Sequence, residues 1–219
     1  MRVAVEEKVL SENDKLAAVL RTRFRAHRVF CVNLISSPGS GKTALLERTL
    51  EALPQTAKVA VLTGDLQTEN DARRLARAGF PVKQITTGDT CHLDADMVGK
   101  ALAGWELGNI ETLFIENVGN LVCPTSYDLG EHAKIVLLSV TEGEDKPLKY
   151  PAIFAASELC IINKIDLLPY VPFALDQAIA NVLKVHPGMK VVQTSCTKRE
   201  GLDGWLAWLA ERRARALAA

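Results

Sequence analysis

"SSPGSGKT" spans Ser36–Thr43. An unbroken apolar run, Val29–Ile35, precedes it, and the stripe Leu45, Leu46, Leu50 follows at helical spacing. A strand that enters a Gly-rich turn and leaves as a helix turns successive backbone N–H groups inward. It also aims a positive helix end at whatever sits in the turn. The phosphate-loop template is G-x-x-x-x-G-K-S/T. Gly41, Lys42 and Thr43 match it, and Ser36 replaces the first glycine. Gly39 and Gly41 supply the backbone freedom that the turn needs. Ser37, Gly39, Ser40, Gly41 and Ala44 are therefore read as the phosphate cradle. Lys42 is the point charge for the terminal phosphates, and Thr43 a hydroxyl ligand for Mg²⁺. A plain Gly/Ser turn entering a helix is the simpler alternative, and the flanking strand and helix weigh against it.

Working outward, further apolar runs read as strands: Lys58–Thr63, Val82–Thr86, Thr112–Glu116, Lys134–Val140, Leu159–Asn163 and Lys190–Thr194. They are mostly unbroken, as strands covered on both faces should be. Helical patterns lie between several of them. Ser11 with Asp14 looks like a capping box opening a helix through Leu16, Val19, Leu20 and Phe24. Thr68 with Asp71 does the same before Leu75, and Gly79 supplies a stop. Trp205, Leu206, Trp208 and Leu209 mark an amphipathic C-terminal helix. This alternation predicts an α/β phosphate-loop fold, a mostly parallel sheet of about seven strands with helices on both faces. The expected organisation is an N-terminal helical extension over 1–28 and a nucleotide-binding domain over 29–219.

The bulk numbers exclude other classes. The 26 basic and 26 acidic residues balance, so no basic excess argues for nucleic acid or an anionic membrane. The apolar runs are too short to span a bilayer, and the first ten residues do not resemble a secretory signal. Five cysteines at irregular spacing do not suggest a disulfide framework, so a reducing cytoplasm is expected.

"INKID", Ile162–Asp166, closes the strand Leu159–Asn163. A carboxylate there can accept from guanine N1–H and the exocyclic amine together; adenine offers neither. Asp166 is thus the guanine reader, Lys164 lays its stem on the purine, and Asn163 braces the loop. "TSCTKREG", Thr194–Gly201, resembles the loop that backs the guanine in GTPases and brings Ser195 and Cys196 near the base, with packing the safer reading of Cys196. "TGDLQTEND" carries Asp65 and Asp71. Either could reach Mg²⁺ or the attacking water, and Asp71 could equally just cap a helix. "FIENVGN" resembles the Asp-x-x-Gly switch of GTPases with Glu in place of Asp. Glu116 would serve Mg²⁺, and the Gly119 N–H would sense the γ-phosphate. Asn120 lies where fast GTPases carry a water-orienting Gln, so hydrolysis is expected to be slow.

Cys31 and Cys160 fall inside strands and read as core. Cys91, His92 and Cys123 follow strand ends on the nucleotide edge. Two thiolates and an imidazole suit Zn²⁺ or Ni²⁺, while two unrelated thiols remain an open alternative on these residues alone. Taken together, "SSPGSGKT", "TGDLQTENDA", "TTGDTCHLDADM", "ENVGNLVCP", "EGEDKPLKYP" and "INKIDLLPY" resemble the hydrogenase maturation GTPases of the HypB family, from about Ser36 to Gly201. The resemblance implies a GTPase that pairs two subunits on binding GTP and assists nickel insertion into the large-subunit precursor of nickel–iron hydrogenase. It implies a metal site at the subunit interface from Cys91, His92 and Cys123, and a lysine, matched by Lys149, that reaches the neighbour's nucleotide. A HypA-type nickel metallochaperone is an expected partner. Many family members begin with a Cys- or His-rich nickel stretch. Met1–Val29 holds only His27 and no cysteine, so the metal is expected at the interface site or on the partner. A urease-accessory GTPase of the UreG type would usually show Cys-Pro-His, whereas Cys123-Pro124 is followed here by Thr125. A metal-storage module with a vestigial nucleotide site, or a small-molecule kinase, fits the guanine reader and intact phosphate loop less well.

Overall fold

The structure, a computed structural model, describes residues 2–65, 70–88 and 90–218, with side chains from Glu7 onward. Seven strands form one sheet: β1 (Phe30–Ser36), β2 (Val59–Asp65), β3 (Val82–Thr86), β4 (Thr112–Glu116), β5 (Ala133–Ser139), β6 (Leu159–Asn163) and β7 (Lys190–Thr194). Their order is β3-β2-β4-β1-β5-β6-β7, and each neighbouring pair is parallel. β3, β4, β6 and β7 coincide with the apolar runs. β1 begins one residue later than its run, β2 extends to Asp65, and β5 sits one residue earlier. The helices are α1 (Arg2–Ala26), α2 (Lys42–Ala52), α3 (Asn70–Ala76), α4 (Ala95–Ala101), α5 (Lys146–Lys149), α6 (Pro151–Ala156), α7 (Leu175–Val185) and α8 (Leu202–Ala218). Among the described residues no helix is long and apolar enough to cross a membrane.

The period-two alternation of β1 sorts the core into layers. Phe30, Val32 and Leu34 face α2 and α8, where Leu45, Leu46, Leu50 and Trp205 complete one cluster. Cys31 points the other way, into a cluster closed by Ala17, Leu20 and Phe24 of α1 and Val98 of α4. Ile35 joins a third, with Ile153 and Phe154 of α6 and Val182 of α7. Cys31 and Cys160 are fully buried as core thiols. Burial pushes the Cys160 thiol up to about 12.

The expected start of the first helix at Ser11 is wrong. α1 begins at Arg2, and Ser11 lies inside it, exposed. Glu6, Glu7, Lys8 and Leu10 are good helix formers, and one exposed serine costs a helix only about half a kcal/mol, so the helix continues through it. The Thr68–Asp71 cap cannot be described, because Thr68 lies outside the described residues; Asp71 itself is in the first turn of α3. After α3 the chain turns at Gly79, whose φ of +85° is a left-handed value natural to glycine.

Candidate functional site

The carboxyl ends of β1, β2, β4 and β6 gather nearly every residue singled out from the sequence. A cleft of about 440 Å³ is lined by Gly39, Gly41, Lys42, Thr43 and Ala44 from the loop after β1. Asp65 at the end of β2, Asp71 on α3, and Glu116 and Gly119 after β4 complete its walls. Ser37 and Ser40 brace it from behind: Ser40 Oγ bonds the Ser37 carbonyl at 2.9 Å and Glu142 Oε1 at 2.7 Å. Gly41 takes φ +102° directly before α2, and a Cβ there would collide with the Asn163 amide. The glycine is required twice, for its angle and for that approach.

Lys42 is buried, and its Nζ donates to Ser36 Oγ at 2.9 Å. The serine in place of the template's first glycine thus parks the lysine head at the base of the cleft. Burial lowers the Lys42 pKa, with Glu116, Asp71 and Glu142 opposing. Thr43 Oγ1 donates to Glu116 Oε1 at 2.6 Å, while Glu116 Oε2 is buried without a hydrogen-bond partner. Burial raises the Glu116 pKa to about 7, against the pull of Lys42. A buried carboxylate with one oxygen on a threonine hydroxyl and the other unpaired fits a Mg²⁺ site, since the ion would relieve both the missing partner and the desolvation cost. Gly119 lies hard against the phosphate loop; a Cβ on it would come 2.8 Å from Pro38 Cα.

The residues expected at the base connect to the same loop. Asn163 Nδ2 donates to the Ser40 carbonyl at 2.9 Å, and its Oδ1 accepts from Thr194 Oγ1 at 3.1 Å and Cys196 Sγ at 3.4 Å. Lys164, at a left-handed φ of +65°, reaches the Gly39 carbonyl at 2.7 Å. Ser195 Oγ donates to Asp166 Oδ1 at 2.5 Å and accepts from Lys198 N at 3.0 Å. Lys149 does not line the cleft. It lies on α5 at the surface, its Nζ 2.7 Å from Asp145.

Arg74 was missed. It lines the phosphate cleft, held by Glu47 at 2.5 Å. In "ARRLARAG" nothing distinguishes it from Arg73 or Arg77. Asn120 turns away from the cleft: its Oδ1 accepts from Val122 N at 2.8 Å, and its amide donates to the Cys91 carbonyl at 3.4 Å.

Cys91, His92 and Cys123 converge on one point, with their candidate ligand atoms all within 4.8 Å of one another. The two Sγ atoms are 2.8 Å apart as free thiols. The hydrogen bond from Cys91, with burial second, raises the Cys123 pKa. His92 stacks on Tyr127 at 3.8 Å between ring centroids, and its Nδ1 is buried without a partner. Burial also lowers its pKa and favours the neutral, metal-binding form. An orphaned imidazole nitrogen beside two thiols fits a soft divalent ion.

Comparison with known proteins agrees with this architecture. A family model for the CobW/HypB/UreG nucleotide-binding domain matches residues 30–193. The hydrogenase maturation factor HypB of Azotobacter vinelandii is 51% identical, over 98% of this chain and 71% of its own length. The crystal structure of HypB from Helicobacter pylori in complex with nickel superposes with a TM-score of 0.88 at 40% identity, covering 93% of this chain and 96% of that one. HypB from Archaeoglobus fulgidus gives 0.87 at 35% identity, over 93% and 99%. The chain belongs to the HypB family of hydrogenase maturation factors.

Proposed function

We propose that the protein is a slow GTPase switch that delivers nickel to the large-subunit precursor of a nickel–iron hydrogenase in the cytoplasm. GTP with Mg²⁺ pairs two subunits, and nickel or zinc is carried at Cys91, His92 and Cys123. A HypA-type metallochaperone is the expected donor. One observation carries the reading. The segment that begins at Glu116 in the nucleotide cleft ends, seven residues on, at Cys123, whose Sγ lies 2.8 Å from Cys91 Sγ.

The chain's groups divide the work simply. The loop N–H groups and Lys42 hold the phosphates, and Lys42 leaves Ser36 to do so. Thr43 and Glu116 would hold Mg²⁺, which would offset the negative charge of the phosphates. Asp65 and Asp71, both on the cleft wall, are read as serving Mg²⁺ or the attacking water. Asp166, steadied by Ser195, accepts from guanine N1–H and the amine. Sites that bond a substrate's donors strongly reject analogues lacking them. A γ-phosphate that draws in Gly119 pulls on the segment bearing Cys123. Metal affinity then depends on nucleotide state, and linkage makes the dependence reciprocal.

Titration with Ni²⁺ and with Zn²⁺ in GDP and in a non-hydrolysable GTP analogue, with mass measurement, tests this. Affinity should differ between the states by about fivefold or more, and Cys123→Ala should remove most of the difference. Equal affinities in both states would sink the coupling. GTP turnover unchanged by Lys42→Ala would sink the phosphate-loop assignment.

A further inference from the structure

The metal loop and the phosphate-sensing segment meet at one buried residue, Asn117, which also lines the nucleotide cleft. Asn117 is 1% exposed. Its Oδ1 accepts from Val118 N at 3.0 Å and from Leu93 N at 3.2 Å. Its Nδ2 donates to Asn33 Oδ1 at 3.2 Å, and Asn33 passes the chain on to buried Glu131 at 3.2 Å. Its own backbone N–H donates to the Leu34 carbonyl at 3.0 Å on β1, two residues before the phosphate loop begins. Asn117 therefore ties together Val118, which lies between Glu116 and Gly119, and Leu93, the residue after His92.

Leu93 is built as a pivot. Its side chain is fully buried and packs on Gly64, where a Cβ would come within 2.9 Å of it. Gly64 immediately precedes Asp65, so two walls of the nucleotide cleft, β2 and the end of β4, meet at this leucine. Parting Leu93 N–H from Asn117 would leave a buried donor unpaired, which proteins avoid. The backbone at Leu93 should follow the carboxamide and tilt the loop about the anchored side chain.

We propose that Asn117 is the positioning residue through which the nucleotide state sets the geometry of the Cys91–His92 half of the metal site. It acts through the backbone of Leu93. The inference rests on the reading above that nucleotide moves residues 116–119. Cys123 receives that motion along its own chain; Cys91 and His92 receive it across the hydrogen bond.

The test is amide hydrogen exchange of the metal-free, full-length protein, saturated with GDP or with a non-hydrolysable GTP analogue. In the wild type, exchange over residues 90–94 should differ between the two states by about fivefold or more. Asn117→Ser keeps a hydroxyl that can serve Val118 N but is too short for Leu93. It should shrink that difference to less than about twofold while exchange at 118–120 still responds. Asn117→Ala should do the same. A full difference retained in Asn117→Ser, or a wild-type loop indifferent to nucleotide, overturns the proposal. Should neither variant fold, the wild-type Leu93 amide shift carries the test, and an unchanged shift in the two states overturns it. Metal titration of the same samples separates the two readings. Equal affinities beside an Asn117-dependent exchange difference would end the metal coupling and leave the Asn117 assignment standing.

Discussion

Asp166 shows how much one carboxylate is asked to decide. Its Oδ1 already accepts from Ser195 Oγ, so the side chain is oriented before any base arrives. Asp166→Asn replaces an acceptor with an amide donor opposite guanine N1–H and the amine. GTP binding should weaken by about 1–3 kcal/mol, roughly fivefold to 150-fold. Xanthine, which carries a carbonyl in place of that amine, should gain relative to guanine. Competition between GTP and XTP would show this, and unaltered GTP preference would place the base reader elsewhere. Asp166, Lys42 and Thr43 were legible because each belongs to a short string with its own spacing. Asn117 and Arg74 were not. Their roles come from Leu93, Asn33 and Glu47, residues 24 to 84 positions away, and no local pattern marks such partners.

At the scale of elements, α1 was legible as a helix but not as a clamp. Asn13, 6% exposed, donates to the Asp128 carbonyl and accepts from Ala95 N, both at 2.9 Å, so one side chain joins the segments following Cys123 and His92. Arg21 pairs with Asp128, and Gly130 lets the loop approach the α1 backbone, where a Cβ would meet the Ala17 carbonyl at 2.8 Å. The neighbouring His132 connects this loop to β1 and α8. Its Nδ1 accepts from Cys31 N at 3.1 Å, and Arg212 donates to its carbonyl at 2.8 Å. Burial, then Arg212, Arg25 and Arg21, pull its pKa down to about 4. The unfolded imidazole takes a proton from about pH 6.5 downward, whereas the folded one resists until about 4. Its contribution to stability is therefore present above pH 6.5 and is lost as pH falls to 4. Solvent screening of this half-buried group limits the loss to about 1 kcal/mol, or ~2–4 °C of melting temperature in a domain of this size. Melting temperature should fall by that much more between pH 7 and 4 for the wild type than for His132→Gln. Parallel curves would mean that the loop, rather than its histidine, sets the acid limb.

For the whole molecule, strand–helix alternation made the parallel sheet legible, because strands buried on both faces leave long apolar runs. Strand order was not legible, since it depends on which helix crosses which face. That order puts β1 between β4 and β5, and so places the phosphate loop between Glu116 on one side and Glu142 on the other. Lys149 is the candidate left outside. It belongs to the segment that Glu142 begins, yet it lies exposed and paired with Asp145 instead of in its own chain's cleft. A lysine so placed serves the reaction only if a second subunit brings its nucleotide to it. Supplied from the neighbour, it would add positive charge where the transferring phosphoryl group gains negative charge, the kind of contribution that trans-acting cations make in GTPases. Turnover per wild-type subunit should accordingly rise with protein concentration as dimers form. Lys149→Ala should stay at the dilute rate, at least about tenfold below the wild-type plateau. Its affinity for GTP as a monomer should be unchanged, because this cleft never held the side chain. A wild-type rate independent of concentration, or a Lys149→Ala plateau equal to the wild type, would remove the lysine from catalysis.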